Sequence, residues 1–213
     1  GSDYVQVLET LTFAAGETTK TFTVDINEDS IAEIDETFLL TLSNLVTAST
    51  QNVFIDSANN NYSAEVTITN DDAVSLSIGD AVADENTGEI TFTITASDYI
   101  EQLFTADFST ADQAPLSAVA DTDYSSLILS NQPLDFSDSL TQTVTVSITD
   151  DSIVELDESF LINMTNIQGA LPGSVSISDG QPVGTITNDD QASLSIGDAS
   201  ANEAMGLITF TIT

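Results

Sequence analysis

Histidine, cysteine and tryptophan are absent from the 213 residues, and lysine and arginine together contribute a single residue, Lys20. Without cysteine the chain has no disulfide, no thiolate metal site and no cysteine nucleophile. Without histidine it has no catalytic triad of the usual kind, and only a pair of carboxylates could provide acid–base catalysis. The acidic residues recur in a structural pattern rather than in an evident cleft, so we do not expect an enzyme.

Acidic residues dominate the charge: 35 of them give a formal net charge of −34. Hydrophobic residues still make up 41% of the chain, which is too many for a disordered acidic tail. Such a surface repels nucleic acid and anionic membranes and attracts cations. No apolar run approaches the roughly 20 residues of a membrane span, so we expect no membrane insertion. A role in solubility explains scattered acidic residues as well as cation binding does. It does not explain acidic residues that are repeated at fixed positions.

Two blocks of sequence occur twice, at a spacing of about 120 residues. V-D-I-N-E-D-S-I-A-E-I-D-E-T-F begins at Val24 and V-S-I-T-D-D-S-I-V-E-L-D-E-S-F begins at Val146, while T-I-T-N-D-D ends at Asp72 and at Asp190. This repetition predicts a tandem array with one complete unit at 73–190. Residues 1–72 then form a unit that lacks its first strands, and 191–213 form the first strands of a following unit. Both ends fall inside a unit, so we expect a piece of a longer protein.

Period-two alternation of apolar residues predicts short strands throughout, and no window favours an amphipathic helix. In the first unit the predicted strands are 8–13, 19–26, 36–43, 53–55 and 64–69, with turns at Gly16 and at 59–61. Strands at regular spacing without helices predict an all-β chain of tandem Greek-key β-sandwiches.

Carboxylates continue the core-facing rows of two adjoining strands. Asp150 extends the alternation of Val146 and Ile148, and Glu158 opens the row that continues with Phe160. An antiparallel return along 183–187 brings 188–190 back to the same end. Oxygen ligands alone select a hard cation, and flexible loops with many carboxylates favour Ca²⁺ over Mg²⁺. The acids outnumber the ligands of one ion, which predicts two or more Ca²⁺; the candidates are Glu85, Asp123, Asp150, Asp151, Glu155, Glu158, Asp189 and Asp190.

The run D-D-S-I-x-E-x-D-E-[ST]-F, the D-Y of Asp123-Tyr124, the D-E-N-T-G around Glu85 and the terminal T-I-T-N-D-D together resemble the Calx-beta domain. The resemblance implies an immunoglobulin-like sandwich with Ca²⁺ held in the loops at one end. It adds the Ile153 carbonyl to the ligands of the complete unit. For the first unit it implies a site made of Asp3, Glu28, Asp29, the Ile31 carbonyl, Glu33, Glu36, Asp71 and Asp72.

The chain also departs from the family pattern. Asn70 and Asn188 stand where the family often has a third Asp, and Glu28 replaces an Asp, so we expect reduced affinity or fewer ions. Residues 1–72 contain no counterpart of Glu85, so the site of the first unit is expected to be incomplete within its own chain.

We expect the chain to be a structural extender of a large extracellular, bacterial surface protein or adhesin, with Ca²⁺ rigidifying the junctions between neighbouring repeats. The alternatives are a ligand-binding adhesive module and a Ca²⁺-sensing regulatory domain. The strands of 191–213 match those that the first unit lacks, which predicts head-to-tail self-association of this chain. An EF-hand is excluded, because Asp121-Thr122-Asp123 lacks the Gly and Glu that would have to follow.

Overall fold

The computed structural model describes residues 3–47, 53–58, 62–169 and 173–213, so the turn predicted at 59–61 lies outside the described residues. No helix in these ranges is long and apolar enough to cross a membrane. Short 3₁₀ turns occur at Glu85–Thr87 and Glu203–Met205. The strands are β1 Glu36–Thr41, β2 Ser63–Ile68, β3 Val74–Ile78, β4 Ala81–Asp84, β5 Glu89–Ala96, β6 Phe104–Asp112, β7 Ile128–Leu134, β8 Thr141–Ser147, β9 Glu158–Gln168, β10 Val175–Asp179 and β11 Val183–Thr187. The prediction of an all-β chain is confirmed.

The complete unit is an immunoglobulin-like sandwich of two sheets. One sheet has the order β10-β3-β5-β8 and the other the order β4-β11-β9-β6-β7. The β10–β3 and β11–β4 pairs are parallel, and the remaining pairs are antiparallel. The expected antiparallel return of β11 beside β9 is therefore present. The prediction that β8 and β9 adjoin is wrong. The two strands lie in opposite sheets, so the loop between them crosses one end of the sandwich.

The core of this sandwich follows the period-two alternation. Val146 of one sheet and Phe160 of the other have relative exposures of 1% and 0%, and Met164 is also buried. The rings of Phe92 and Phe160 meet edge to face with centroids 5.9 Å apart. Burial of each such side chain stabilises the fold by about 1.5–3 kcal/mol. This core is the rigid base on which the loops at the sandwich end are mounted.

The first unit has a much smaller sheet, β1 paired with β2, in which Phe38 lies opposite Val66. These two strands agree with the predictions at 36–43 and 64–69. The strands predicted at 8–13, 19–26 and 53–55 were wrong: apart from a bridge between Tyr4 and Ile26, these segments have no strand pairing in the described structure. Alternation alone does not make a strand, because the backbone also needs a neighbour to bond to. Leu8 is accordingly 99% exposed and is not part of a core.

Residues 191–213 form a loose antiparallel pairing rather than full strands. Ile196 and Ile212 form a bridge, and Ser195 and Thr213 exchange backbone hydrogen bonds of 2.8 and 2.9 Å. Apolar side chains of this segment remain in solvent, with Leu194 84% exposed. The boundaries of the three units remain a prediction.

Candidate metal centre

The acidic end of the complete unit is built from the points where strands of both sheets stop. The loop 148–157 leaves β8 and enters β9 at Glu158, and β11 ends just before Asn188. Strand β4 leads into the 3₁₀ turn that begins at Glu85 and closes on Gly88, whose φ of 73° is a left-handed conformation suited to glycine. Glu85 is only 5% exposed, so this turn places a carboxylate at the buried end of the sandwich.

Asp123 is held in place by its neighbour, Tyr124. The Tyr124 ring is 1% exposed and stacks on Phe160 with centroids 4.3 Å apart. Its hydroxyl donates a 2.8 Å hydrogen bond to Asp112 Oδ1. This anchor in the core fixes the backbone from which the Asp123 carboxylate projects, and that carboxylate accepts a 2.6 Å hydrogen bond from the Val119 amide.

Three carboxylates form the centre of the site. Asp123, Glu155 and Glu158 each offer an oxygen, and the three oxygens lie within 4.8 Å of one another. They border a gap of about 10 Å³, which is about the smallest volume that can hold one water molecule. The complete lining of this gap is Glu85, Thr122, Asp123, Thr149, Asp151, Glu155, Leu156, Glu158, Ile186 and Asn188.

The electrostatics of the cluster show uncompensated negative charge. Burial, followed by the charge and hydrogen bond of Asp123, raises the pKa of Glu158 from 4.5 to about 7. Burial is also the largest cause of the raised pKa of Glu85, Glu155 and Asp190, with neighbouring carboxylates adding to each. Lys20, the one basic side chain, pairs with Glu17 at 2.6 Å instead. The folded protein therefore presents carboxylates that require protons or cations.

Five of the predicted ligands, Glu85, Asp123, Asp151, Glu155 and Glu158, line the gap directly. Asp150, Asp189 and Asp190 surround them. The Asp189 amide donates a 3.2 Å hydrogen bond to Glu85 Oε1, and its carboxylate accepts one from Asn86. Asp190 has a buried Oδ2 that finds no hydrogen-bond partner in the described part of the chain, and the charges of Asp189, Asp151 and Asp150 act on it.

Ile153 has its amide, rather than its carbonyl, engaged by the cluster: the Ile153 N–H donates a 2.7 Å hydrogen bond to Asp151 Oδ1. Its role as a carbonyl ligand stays a prediction. The bond closes a short turn of the loop just before Glu155.

Asn188 has a role that the sequence did not reveal. Its Oδ1 accepts a 2.8 Å hydrogen bond from the Glu155 amide, and its Nδ2 donates a 3.1 Å bond to the Asp190 carbonyl. The side chain thus ties the acidic loop to the segment that leaves the unit. An aspartate could accept the first bond but could not donate the second. The recurrence of Asn at position 70 was the available signal.

The first unit repeats this arrangement on its smaller sheet. Asn70 accepts a 3.0 Å hydrogen bond from the Glu33 amide and donates a 3.1 Å bond to the Asp72 carbonyl, and Asp29 Oδ1 accepts from the Ile31 amide at 2.9 Å. All seven predicted side-chain ligands border one cleft of about 290 Å³, namely Asp3, Glu28, Asp29, Glu33, Glu36, Asp71 and Asp72. As at the second cluster, the amide of the isoleucine, here Ile31, is the group seen to bond.

The donor set fits a calcium ion. Every candidate group is an oxygen, and Ca²⁺ takes six to eight oxygens at about 2.3–2.6 Å. Two ligands of one Ca²⁺ can therefore lie up to roughly 5 Å apart, which accommodates oxygens within 4.8 Å. Mg²⁺ needs shorter distances, about 2.0–2.1 Å, and near-octahedral geometry, so it would require the three side chains to close in.

Two solved structures are similar to part of this chain. A crystal structure of the apo form of the Calx CBD1 domain is 22% identical and covers 56% of this chain and 100% of its own, with a TM-score of 0.47. A crystal structure of the calcium binding domain CBD12 of CALX1.1 is 23% identical and covers 58% of this chain, with a TM-score of 0.46. This chain spans about half, 50%, of that second protein. No curated protein is similar enough to count as a match.

The sequence profile of the Calx-beta domain matches twice, over residues 1–72 and 69–200. The two matches together cover most of the chain and coincide with the two acidic clusters. The chain therefore belongs to the Calx-beta domain family.

Proposed function

We propose that this chain binds Ca²⁺ at both acidic clusters and serves as an extender in a large extracellular surface protein or adhesin. The observation that carries the proposal is the meeting of Asp123, Glu155 and Glu158 within 4.8 Å without a basic partner. Two unit charges at that separation repel by on the order of 3 kcal/mol before salt screening. A divalent cation bound between the carboxylates outweighs this repulsion, because each carboxylate is attracted to the ion. A solved family member described as a calcium binding domain supports the choice of ion.

The position of the clusters supports a structural role. Each lies at the end of its unit, beside the segment 71–72 or 189–190 through which the chain passes to the next unit. An ion there would stiffen the link between neighbouring repeats, which are the partners that we propose. The tandem repetition and the strongly negative composition support an extracellular, bacterial setting, where millimolar Ca²⁺ fills sites with a Kd of about 10⁻⁴–10⁻³ M.

Thermal unfolding in Ca²⁺, in Mg²⁺ and in chelator tests the binding proposal. At a Ca²⁺ concentration of about 100 times Kd, the folded state gains about 2.7 kcal/mol, or roughly 10 °C in Tm. The double variant Asp123→Asn with Glu158→Gln should lose the response of the complete unit while becoming more stable in chelator, because two crowded charges are removed. A control with the same charge change, Glu9→Gln with Asp138→Asn at exposed positions, should keep the full response. An unchanged Ca²⁺ response in the first variant would refute the assignment.

Affinity separates the extender from a Ca²⁺ sensor. Titration calorimetry should give a Kd near 10⁻⁴ M or weaker for an extender in millimolar Ca²⁺, whereas a cytosolic sensor needs about 10⁻⁷–10⁻⁵ M. Replacement of an Asp by Asn70 and Asn188 favours the weaker range, because each removes one anionic group from its cluster. A micromolar Kd would argue against the extender.

A further inference from the structure

The 191–213 segment repeats the part of the complete unit that forms β3, β4 and most of β5. Five core positions carry the same apolar residue in both copies, namely Leu76 and Leu194, Ile78 and Ile196, Ile90 and Ile208, Phe92 and Phe210, and Ile94 and Ile212. These side chains are 0–2% exposed in the complete unit and 46–84% exposed in the 191–213 segment. The segment therefore has the sequence of core strands while its apolar side chains remain in solvent.

The first unit has a strand-like segment whose counterpart pairs with β5. In the complete unit β5 pairs with β8 in antiparallel register, from Glu89 opposite Ser147 to Thr95 opposite Thr141. The repeated block makes 19–25 the counterpart of β8. Within it, 19–24 has the alternation of a strand but no strand pairing in the described structure. The counterpart of β5 that would pair with it is 207–213.

The core face of β1 is open in the same way. Phe38 and Leu40 are half-buried and Leu42 is 52% exposed. Their counterparts on β9, which are covered by the opposite sheet, are Phe160, Ile162 and Met164, with exposures of 0%, 0% and 3%. The first unit therefore presents an apolar face on which the strands of an opposite sheet would fit.

One molecule cannot place its own 191–213 segment on its own first unit. The first unit contacts the end of the complete sandwich at which β5 stops, because Ala32 and Ile100 form a parallel bridge there. Asp190 lies at the opposite end, in the second acidic cluster. The eight residues of β5 span about 26 Å at roughly 3.3 Å per residue. Only Gln191 separates Asp190 from the counterpart of the first residue of β3, and one residue cannot cross that length.

We propose that the 191–213 segment of one molecule completes the first unit of a second molecule, where it pairs with 19–25 as β5 pairs with β8. The partner is a second copy of this chain, and the interaction adds strands to an open sheet. This inference goes beyond the proposed function, because it needs no bound ion. Each joined copy presents a further free segment and a further open first unit, so the assembly is head-to-tail and open-ended rather than a closed dimer.

Disulfide trapping tests the predicted register, because the chain contains no cysteine of its own. Thr93 and Thr143 are Cα partners in the β5–β8 pair, and both are exposed. Their counterparts are Thr211 and Thr21. Opposite residues of antiparallel strands have Cα atoms about 4.5–5.5 Å apart, which is within the range of a disulfide. On mild oxidation, Thr21→Cys with Thr211→Cys should form a ladder of covalent dimers, trimers and larger species on a non-reducing gel.

The matched control places the second cysteine on the same segment but in the other sheet. Ser200 is exposed and is the counterpart of Val82 on β4, and β4 does not belong to the sheet that holds β5 and β8. Thr21→Cys with Ser200→Cys should therefore give no species beyond the dimers that Thr21→Cys alone can form.

Removal of two apolar side chains gives a second readout. Adding Phe210→Ser and Ile212→Ser to the trapping variant should lower the yield of the ladder by about tenfold or more, because burial of such side chains is worth at least that factor in an association constant. The urea unfolding curve of the complete unit should not change, since both side chains lie outside its core.

Three results would overturn the proposal. An equal ladder from the Ser200→Cys control would mean that the contact has no register. A disulfide within a monomer would mean that the segment folds back on its own molecule. The absence of any ladder from Thr21→Cys with Thr211→Cys at high protein concentration would mean that the first unit is not completed by a second copy.

Discussion

Replacement of Asn188 by aspartate gives a sharp test, because it restores the acidic residue that the family often has at this place. In the structure Asn188 accepts from the Glu155 amide at 2.8 Å and donates to the Asp190 carbonyl at 3.1 Å. Asn188→Asp keeps the first bond and converts the second into a contact between two acceptors. The variant also adds a negative charge beside carboxylates whose pKa is already raised. We therefore expect a less stable protein in the absence of Ca²⁺.

The magnitude follows from the second bond alone, because the first is kept. Leaving the Asp190 carbonyl without its donor lowers the free energy of unfolding by about 1–3 kcal/mol in chelator. Saturating Ca²⁺ should recover part of this loss, because the added carboxylate strengthens attraction for the ion.

Urea unfolding at pH 7.5, in chelator and in Ca²⁺, measures both quantities. Asn188→Ala is the companion variant, because it loses both bonds without adding charge. Lowering the pH to 5 should narrow the difference between Asn188→Asp and the parent, since a protonated carboxyl can donate again. If Asn188→Asp equals the parent in chelator, the asparagine does not tie the loop and the reasoning is wrong.

Three further predictions concern pH, packing and association. In chelator the free energy of unfolding should fall as the pH rises from about 4.5 to about 7, because the folded state keeps on Glu158 a proton that the unfolded chain releases; Glu158→Gln should flatten this slope in pH-dependent melting curves. Gly184→Ala should cost about 1–3 kcal/mol by urea unfolding, since its Cβ would lie 2.7 Å from the Phe92 ring and 2.8 Å from that of Phe160, whereas Gly79→Ala, with nothing within 4 Å, should be near neutral. Exposed apolar side chains such as Leu194 and Phe210 should cause concentration-dependent association in sedimentation equilibrium; Leu194→Ser with Phe210→Ser should reduce it, and a monomer at every concentration would contradict it.

Much of the acidic end could be predicted from sequence, because its information lies in local alternation. The rows that end in Ile148 and begin at Phe160 are buried as their parity predicts, and β11 returns beside β9. The wrong predictions concern strand pairing. Alternation predicts which face of a segment is apolar, but it does not predict which strand will bond to that segment. This is why 8–13 has the pattern of a strand without the structure of one, and why β8 and β9 lie in different sheets.

Side-chain roles were harder to predict than side-chain positions. Asn188 looked like a missing ligand because a sequence gives the residue type but not the direction of its hydrogen bonds. The backbone bond between Glu101 and Ala32 gave no signal at all, since Glu101 lies outside both repeated blocks and meets the first unit only through contact between units.

The two clusters together show which part of the site is encoded locally. The bonds from Asp29 to the Ile31 amide and from Asn70 to the Glu33 amide have counterparts in the second unit, at similar lengths. One set stands on a two-sheet sandwich and the other on a two-stranded sheet. The bond from the Asp carboxylate to the Ile amide spans two residues and is encoded within the repeated block, whereas the asparagine bond spans 37 residues in the first unit and 33 in the second, and it joins the two repeated blocks of each unit. The junction is different, because its bridge at Ala32 needs residues from two units, and only a structure containing both could reveal it.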